Sequence, residues 1–303
     1  MINYQSRCWI CGSSEIALLR KGLDPAKLSP SNFSITDFSY GLTLDLYECK
    51  SCDFKFCPTA GNVVSFYQAL VDEDYERTRA ARALQAKKLL QCAEHFLPAN
   101  NSGKLNLLDI GAGSGILVEQ AISLGYEAVG VEPSQWLAVK AQEHQLPVVC
   151  SSFPCADISG KFDVITLVDV LEHVTNPVEL LSDFAGYLKP EGVGIIVTPD
   201  INSLMAKIIG KSWWHFRIAH VGYFSRKTLI IALKKAGLEP IIWIRPAWYF
   251  PLDYILVRLD KYLPFIGLKQ LAKFASRYFD KFSLPLNLRD SWMVMVRMQN
   301  IGK

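Results

Sequence analysis

The stretch at residues 105–120, LNLLDIGAGSGILVEQ, constrains this chain more than any other. An apolar run ends in an acid, Asp109, and three glycines follow at single-residue spacing, Gly111, Gly113 and Gly115. A second apolar run then begins at once. The first run reads as a buried strand and the second as a helix, with the glycines in the turn between them. Such a turn lets backbone approach a nucleotide-like ligand at a helix N-terminus. The dinucleotide fingerprint G-x-G-x-x-G needs one more residue before its third glycine. No Gly-Lys-Ser/Thr closes this turn, which excludes a triphosphate-cradling loop here. Asp109 would sit poorly beside a pyrophosphate and suits a cationic ligand.

Downstream the pattern repeats as βαβ units. EAVGVEPS reads as a second strand, LPVVCSS as a third, FDVITLVDV as a fourth and GVGIIVTPD as a fifth, with helices at GILVEQAISLG, QWLAVKAQEHQ and NPVELLSDFAGYLKPEG between them. Further on, SRKTLIIALKKAGLE reads as a helix capped by Ser225 and ended by Gly237, and EPIIWI as a sixth strand. Parallel strands with helical crossovers make an α/β, doubly wound sheet whose ligand sits at the carboxyl ends of the strands. Glu132 ends the second strand, where an acid accepts hydrogen bonds from two ribose hydroxyls and disfavours a 2′-phosphate.

LLDIGAGSG, VGVEPS, FDVITLVDVLEHVTNP and LKPEGVGIIVTPD together, in this order and spacing, resemble the successive signatures of class I S-adenosylmethionine-dependent methyltransferases. The resemblance covers about residues 105–200. It implies a Rossmann-like sheet of seven strands with the last antiparallel, which SWMVMVRMQN would supply. It also implies S-adenosyl-L-methionine as cofactor, approached by Gly111, Gly113 and Gly115 beside Asp109. Glu132 would then hold the ribose, Ser152 and Phe153 would line the adenine, and Val168 and Asp169 would wall the cleft near the methyl. The third-strand end often carries an acid in that family and here does not. In similar methyltransferases the segment before the first strand lies over the cofactor, which makes Tyr67, Tyr75 and Arg79 candidates within 65–97. That segment reads as helical, with no internal Gly or Pro.

Five of eight cysteines fall within residues 8–57. Cys8/Cys11 and Cys49/Cys52 form two C-x2-C knuckles, the spacing that turns two thiolates onto one ion, and two such turns complete a tetrahedral S4 site for a structural Zn2+. Cys57 is a fifth thiol, read as core. The N-terminus shows no secretory pattern and no 18-residue apolar run occurs, so the expected location is cytoplasmic, with reduced thiols. The expected organisation is a zinc-ribbon-like segment at 1–60, a helical cap or linker at 61–100, and the methyltransferase domain at 101–303.

That domain carries a helical insertion at about 246–290 with 7 Lys/Arg against 4 Asp/Glu. Lys269, Lys273, Arg277 and Lys281 recur every fourth residue, with Leu271, Phe274, Ala275, Tyr278 and Phe282 on another face. This is a candidate for peripheral contact with the inner face of an anionic membrane, against the alternative of a lid packed on its own domain. The net charge of +3 argues against a nucleic-acid partner.

The candidate catalytic residues are two histidines that could take a proton from an acceptor hydroxyl, His173 in LEHV and His220 in AHVGYF. The H-x-x-Y-F-S stretch is similar to that of zinc-ribbon-bearing methyltransferases of bacterial surface-saccharide clusters. The EHV stretch is similar to ubiquinone-biosynthesis O-methyltransferases, in which the cluster matching Asp169, Glu172 and His173 is tied to a divalent cation. These resemblances imply a small-molecule acceptor, with a sugar or a saccharide- or lipid-linked intermediate first and a quinone or small aromatic second. A non-catalytic cofactor-binding or docking protein is the third reading, which the intact glycines and Glu132 oppose.

Overall fold

The structure is a computed structural model that describes residues 7–36, 39–60, 64–69, 71–97, 103–262, 268–278 and 283–299. Its strands and helices, in chain order, are β1 (Ile16–Arg20), β2 (Leu46–Cys49), β3 (Lys55–Phe56), α1 (Val64–Gln68), α2 (Glu73–Arg77), α3 (Arg79–Ala93), β4 (Asn106–Ile110), α4 (Ile116–Ser123), β5 (Glu127–Glu132), α5 (Gln135–Glu143), β6 (Val148–Cys150) and β7 (Phe162–Val168). There follow α6 (Pro177–Tyr187), β8 (Leu188–Pro199), α7 (Leu204–Ile209), β9 (Gly222–Tyr223), α8 (Arg226–Lys235), β10 (Leu238–Ile244), β11 (Trp248–Pro251), α9 (Leu252–Tyr262), α10 (Leu268–Tyr278), β12 (Ser283–Leu286) and β13 (Ser291–Met298).

Seven strands form the main sheet in the order β10-β13-β8-β7-β4-β5-β6. β4 pairs in parallel with β5 and β7, and β7 with β8, while β13 runs antiparallel between β8 and β10. The fold is thus the Rossmann-like sheet expected, with its final strand reversed. Strands covered on both faces need continuous apolar runs. β7 supplies one in Val164, Ile165 and Leu167, and β8 another in Val193 to Val197, all essentially inaccessible. The order reverses beside β4, so the carboxyl ends of β4, β5 and β7 open onto one crevice.

The cysteine-rich segment builds a second sheet, β1-β2-β3-β9, all antiparallel. Its fourth strand comes from the far side of the sequence: Lys55 pairs with Tyr223 and Phe56 with Gly222. The knuckles are therefore fastened to the H-x-x-Y-F-S stretch. Right after it, Ser225 accepts from the Thr228 amide while the Thr228 hydroxyl accepts from the Ser225 amide, a reciprocal cap worth about 1 kcal/mol that starts α8.

Three local expectations change. The helix read over 65–97 is three helices, because Asp72 leaves helical geometry to accept the Tyr75 amide and the Thr36 hydroxyl, and Thr78 breaks the path again before α3. The helix read through LKPEG stops at Tyr187. Pro190 lacks an amide to continue it and disfavours helical backbone at Lys189, so Leu188 onward joins β8. The insertion is a two-stranded sheet, β11 with β12, enclosing α9 and α10. Lys281 and Phe282, expected on its basic and apolar faces, lie outside the described residues. No helix among the described residues is long and apolar enough to cross a membrane.

Candidate functional site

The glycine turn at the end of β4 is a place where side chains are excluded twice over. Gly111, Gly113 and Gly115 have φ of +76°, +56° and +76°, backbone that costs an L-residue about 1–2 kcal/mol. A Cβ on Gly113 would lie 2.5 Å from the Tyr75 hydroxyl, and one on Gly111 would strike Val170. The amides of Gly111 and Ala112 both donate to the Val131 carbonyl, at 2.9 and 3.0 Å, which ties the turn to the end of β5. Glu132, the next residue, accepts the Gly113 amide at one carboxylate oxygen and the Ser134 amide at the other, each at 2.8 Å. Each oxygen keeps a lone pair for a ligand hydroxyl.

Two of these acids are held near neutrality. Burial pushes Asp109 up to about 7, against the Thr166 hydroxyl that donates to it at 2.5 Å, and Glu132 adds to the rise. Burial pushes Glu132 to about 7 as well, against its two amide bonds. Desolvated carboxylates beside a cleft favour a ligand that brings cationic charge or hydroxyl donors. Ser152, Phe153, Val168 and Asp169 line the same cavity, of about 420 Å³, a size suited to small ligands. Asp169 has φ of +53° and opens into the cleft. Loss of bulk solvent raises its carboxyl to about 6, with His215 and Arg82 pulling the other way.

The histidines meet at the opposite wall. His173 Nδ1 lies 2.8 Å from the Ala219 carbonyl and also contacts the Tyr67 hydroxyl. The His220 ring stands edge-on to His173 at 4.7 Å and stacks with His215 at 5.7 Å. The Val221 amide donates to the Glu172 carbonyl and the Cys57 amide to the Val221 carbonyl, both at 2.8 Å, so the cysteine sheet fixes where His220 points. Burial lowers His173 to about 3 and lowers His220 well below its ordinary value. Both imidazoles are neutral lone-pair bearers at physiological pH.

Glu172 accepts the Thr198 hydroxyl at 2.9 Å through one oxygen. Its other oxygen and His220 Nδ1 have no partner among the described residues, and burial raises the Glu172 carboxyl well above its ordinary value. Ligand atoms of Glu172, His173 and His220 lie within 4.8 Å of one another. The trio expected from sequence was Asp169, Glu172 and His173. A 3-10 turn at Leu171–His173 carries the last two away from Asp169 and toward His220, and Asp169 is not in the cluster.

Other residues reach the cavity that the sequence reading did not assign to it. Thr78, Arg82, Gln85, Ala86 and Leu89 line it, continuing from the expected Tyr75 as a stripe at helical spacing. Arg79 falls off that stripe and is spent on Ser114, Glu76 and Glu119. Arg82 instead lines the cavity, 4.2 Å over the Tyr75 ring and donating from Nε to the Thr78 hydroxyl at 3.0 Å. Trp248, Tyr249 and Phe250 of β11 and Tyr254 of α9 wall the acceptor side. Asp290 accepts the Trp214 indole N–H at 2.7 Å and faces His215 at 3.2 Å. Burial would raise Asp290, but these partners outweigh it and hold its carboxyl below the ordinary range.

The four knuckle thiols also converge. Cys8 and Cys52 sulfurs are 3.6 Å apart, Cys11 and Cys49 sulfurs 3.5 Å, and all four lie within 4.8 Å of one another without a disulfide. An S4 tetrahedron with bonds of about 2.3 Å has edges near 3.8 Å, so the donor set fits Zn2+. The hydrogen bond with Cys52 draws the Cys8 thiol down to about 5 and raises Cys52. Cys57 is apart from the set, fully buried and pushed up to about 12 by that burial.

A reversed final strand, a glycine turn and a strand-end acid on one crevice define the class I S-adenosylmethionine-dependent methyltransferases. The family model for the methyltransferase domain matches residues 75–241, more than half of the chain, and the chain belongs to that family. It is 31% identical over 124 residues to the ubiquinone biosynthesis O-methyltransferase of Rhodopseudomonas palustris strain HaA2, covering 39% of this chain and 45% of the relative. The corresponding enzyme of Bradyrhizobium diazoefficiens is 31% identical over 129 residues, 41% and 47% of the two chains. The chain thus spans about half the length of the curated relatives it matches. In fold it is similar to a chain of the Haloferax volcanii complex between the Trm112 methyltransferase activator and a methyltransferase, with a TM-score of 0.50, 14% identity, and coverage of 76% of this chain and 97% of that one.

Proposed function

We propose that the protein transfers a methyl group from S-adenosylmethionine to a hydroxyl of a small-molecule acceptor held between the glycine turn and His220. The observation that carries this is a single cavity with two chemistries. On one side stand the glycine turn and Glu132; on the other, an imidazole nitrogen and a carboxylate oxygen without partners among the described residues. S-adenosylmethionine, when bound, supplies the electrophilic methyl, so the protein's work is to orient the acceptor, exclude water and accept a proton. Glu132 would hold the ribose hydroxyls against the bare backbone of the glycine turn, and Arg82 would face the cofactor's carboxylate. His220, kept neutral by burial, would accept the acceptor's proton, and Glu172 would stabilise the imidazolium that results.

The floor formed by Asp169, Asp290 and His215 favours a polyhydroxylated, sugar-type acceptor. The wall of Trp248, Tyr249 and Phe250 favours the second reading, a quinol or catechol ring stacked on it. The relatives' names support that second reading, although the shared region is less than half of their length. Transfer of labelled methyl to a panel of sugar and catechol acceptors tests both. Incorporation into one class is expected, and cofactor binding with no incorporation into either would return the protein to a non-catalytic role.

Two further parts belong to this reading. Cys8, Cys11, Cys49 and Cys52 would hold one structural Zn2+, closed to substrate because protein fills all four positions. The Glu172, His173 and His220 cluster could instead hold a divalent cation, in which case metal addition would change acceptor turnover. On the insertion, Leu271 and Phe274 are about half exposed beside exposed Lys273 and Arg277, an arrangement suited to peripheral contact with anionic lipid.

A further inference from the structure

A second pocket lies behind the acceptor wall, and its chemistry is cationic and aromatic. It is lined by Arg226, Trp243, Arg245, Asn287, Arg289 and Trp292, with two isoleucines of β10 at its base. Trp243 pairs with Val294, two residues from Trp292, so both indoles stand on one face of the sheet, 5.4 Å apart and nearly perpendicular. Arg245 stacks 3.3 Å above Trp292 and is neutralised by Asp200 at 2.6 Å. Arg226, exposed at the start of α8, lies 4.9 Å over Trp243 and 5.7 Å from Trp292. Neither Arg226 nor Arg289 has an ion-pair partner among the described residues.

A guanidinium laid on an aromatic face keeps its N–H donors in its own plane, directed away from the ring and ready for an oxyanion. The third arginine is brought in against a conformational cost. Arg289 has φ of +55°, a backbone that costs about 1–2 kcal/mol. Asn287 holds it there, accepting the Arg289 amide at 3.0 Å and donating to the Arg245 carbonyl at 2.9 Å. The same segment serves both cavities: Leu286, Leu288 and Asp290 line the main cleft, while Asn287 and Arg289 line the arginine pocket.

We propose that this pocket binds the diphosphate of a nucleoside diphosphate, with Arg226 and Arg289 as its charge partners. The same oxyanion chemistry is offered by a free diphosphate and by a phosphate-bearing lipid headgroup.

The test is calorimetry on the full chain with uridine diphosphate, inorganic pyrophosphate and uridine, and with phosphatidylcholine vesicles with and without phosphatidic acid. The parent and an Arg226→Gln/Arg289→Gln variant are compared, with S-adenosylhomocysteine affinity measured on both. Uridine diphosphate and pyrophosphate should bind the parent and uridine should not. The double variant should lose about tenfold or more of that affinity, since each lost charge-assisted contact is a large part of a small ligand's binding. Its S-adenosylhomocysteine affinity should stay within about twofold, which shows an intact fold. Binding only of phosphatidic acid vesicles, lost in the variant, would assign the oxyanion to a headgroup and overturn the nucleotide. No binding by the parent, or equal binding by the variant, overturns the pocket itself. Failure of S-adenosylhomocysteine to bind the parent would instead remove the methyl-transfer reading and leave the pocket standing.

Discussion

The two sides of the main cavity are assembled by different means. The cofactor side comes mainly from one stretch, Asp109 to Asp169, whose strands end where the sheet order reverses, with Tyr75 and Arg82 laid over it. The acceptor side draws on Tyr67, Glu172, His220, Trp248, Tyr254 and Asp290, contributed by the cap, the strand-end turn, the cysteine sheet and the insertion. Backbone dictates the first, through glycines and amides. Long-range packing dictates the second, so its geometry depends on pieces that fold elsewhere. The cysteine sheet is therefore a support for the acceptor side, since β9 is its fourth strand and His220 lies two residues before it.

The sharpest way to break this contrast is to remove the ion proposed for the four cysteines of that sheet. A Cys49→Ser/Cys52→Ser variant should lose its zinc, measured by elemental analysis, and its melting temperature should fall on the order of 10 °C, because metal binding of that kind is folding energy. Methyl transfer should fail with it. Full activity in a zinc-free variant would sever the sheet from the acceptor side. His220→Ala should act on the acceptor side alone, lowering transfer by about 10²–10⁴ while leaving cofactor affinity within about twofold. A matching loss of cofactor affinity would mean that the two sides are not separable.

Gly113→Arg is the converse. With φ of +56° and Tyr75 already against the missing Cβ, it should weaken cofactor binding by about a hundredfold in a calorimeter and leave zinc content unchanged. The smallest effect concerns Asp109. Its folded pKa of about 7 exceeds the ordinary value of 3.8, so the fold holds its proton more tightly than the unfolded chain does. Ionising it in the ligand-free fold therefore costs nothing below about pH 4, a growing amount from 4 to 7 and a constant amount above. Asp109→Asn should melt with the parent near pH 4 and a few degrees above it at pH 8. A gap that narrows as pH rises would reverse the sign and discard the buried-acid account.

The cofactor side was legible because its determinants are local. Three glycines at fixed spacing, Glu132 at a strand end and Ser225 before a helix each announce themselves within a few residues. The broken helix over 65–97 was not legible, since Asp72 turns out of the helix to meet Thr36, a residue 36 positions away. Nor was the meeting of Tyr67 with His173 and His220, which spans more than a hundred residues and needs β9 to pair with β3. Arg79 and Arg82 both stand at helical spacing from Tyr75, so periodicity does not separate the one bound to Glu119 from the one lining the cleft. The insertion's two strands carry little period-2 signal, because both are half-buried along their length.

The central claim concerns where the donor sits, and a crystal structure with S-adenosylhomocysteine tests it most directly. The ribose hydroxyls should lie about 3 Å from the Glu132 carboxylate, with the amino-acid end over the Gly111–Gly115 turn. A ligand bound elsewhere, or a Glu132 side chain turned from the sugar, would contradict the account.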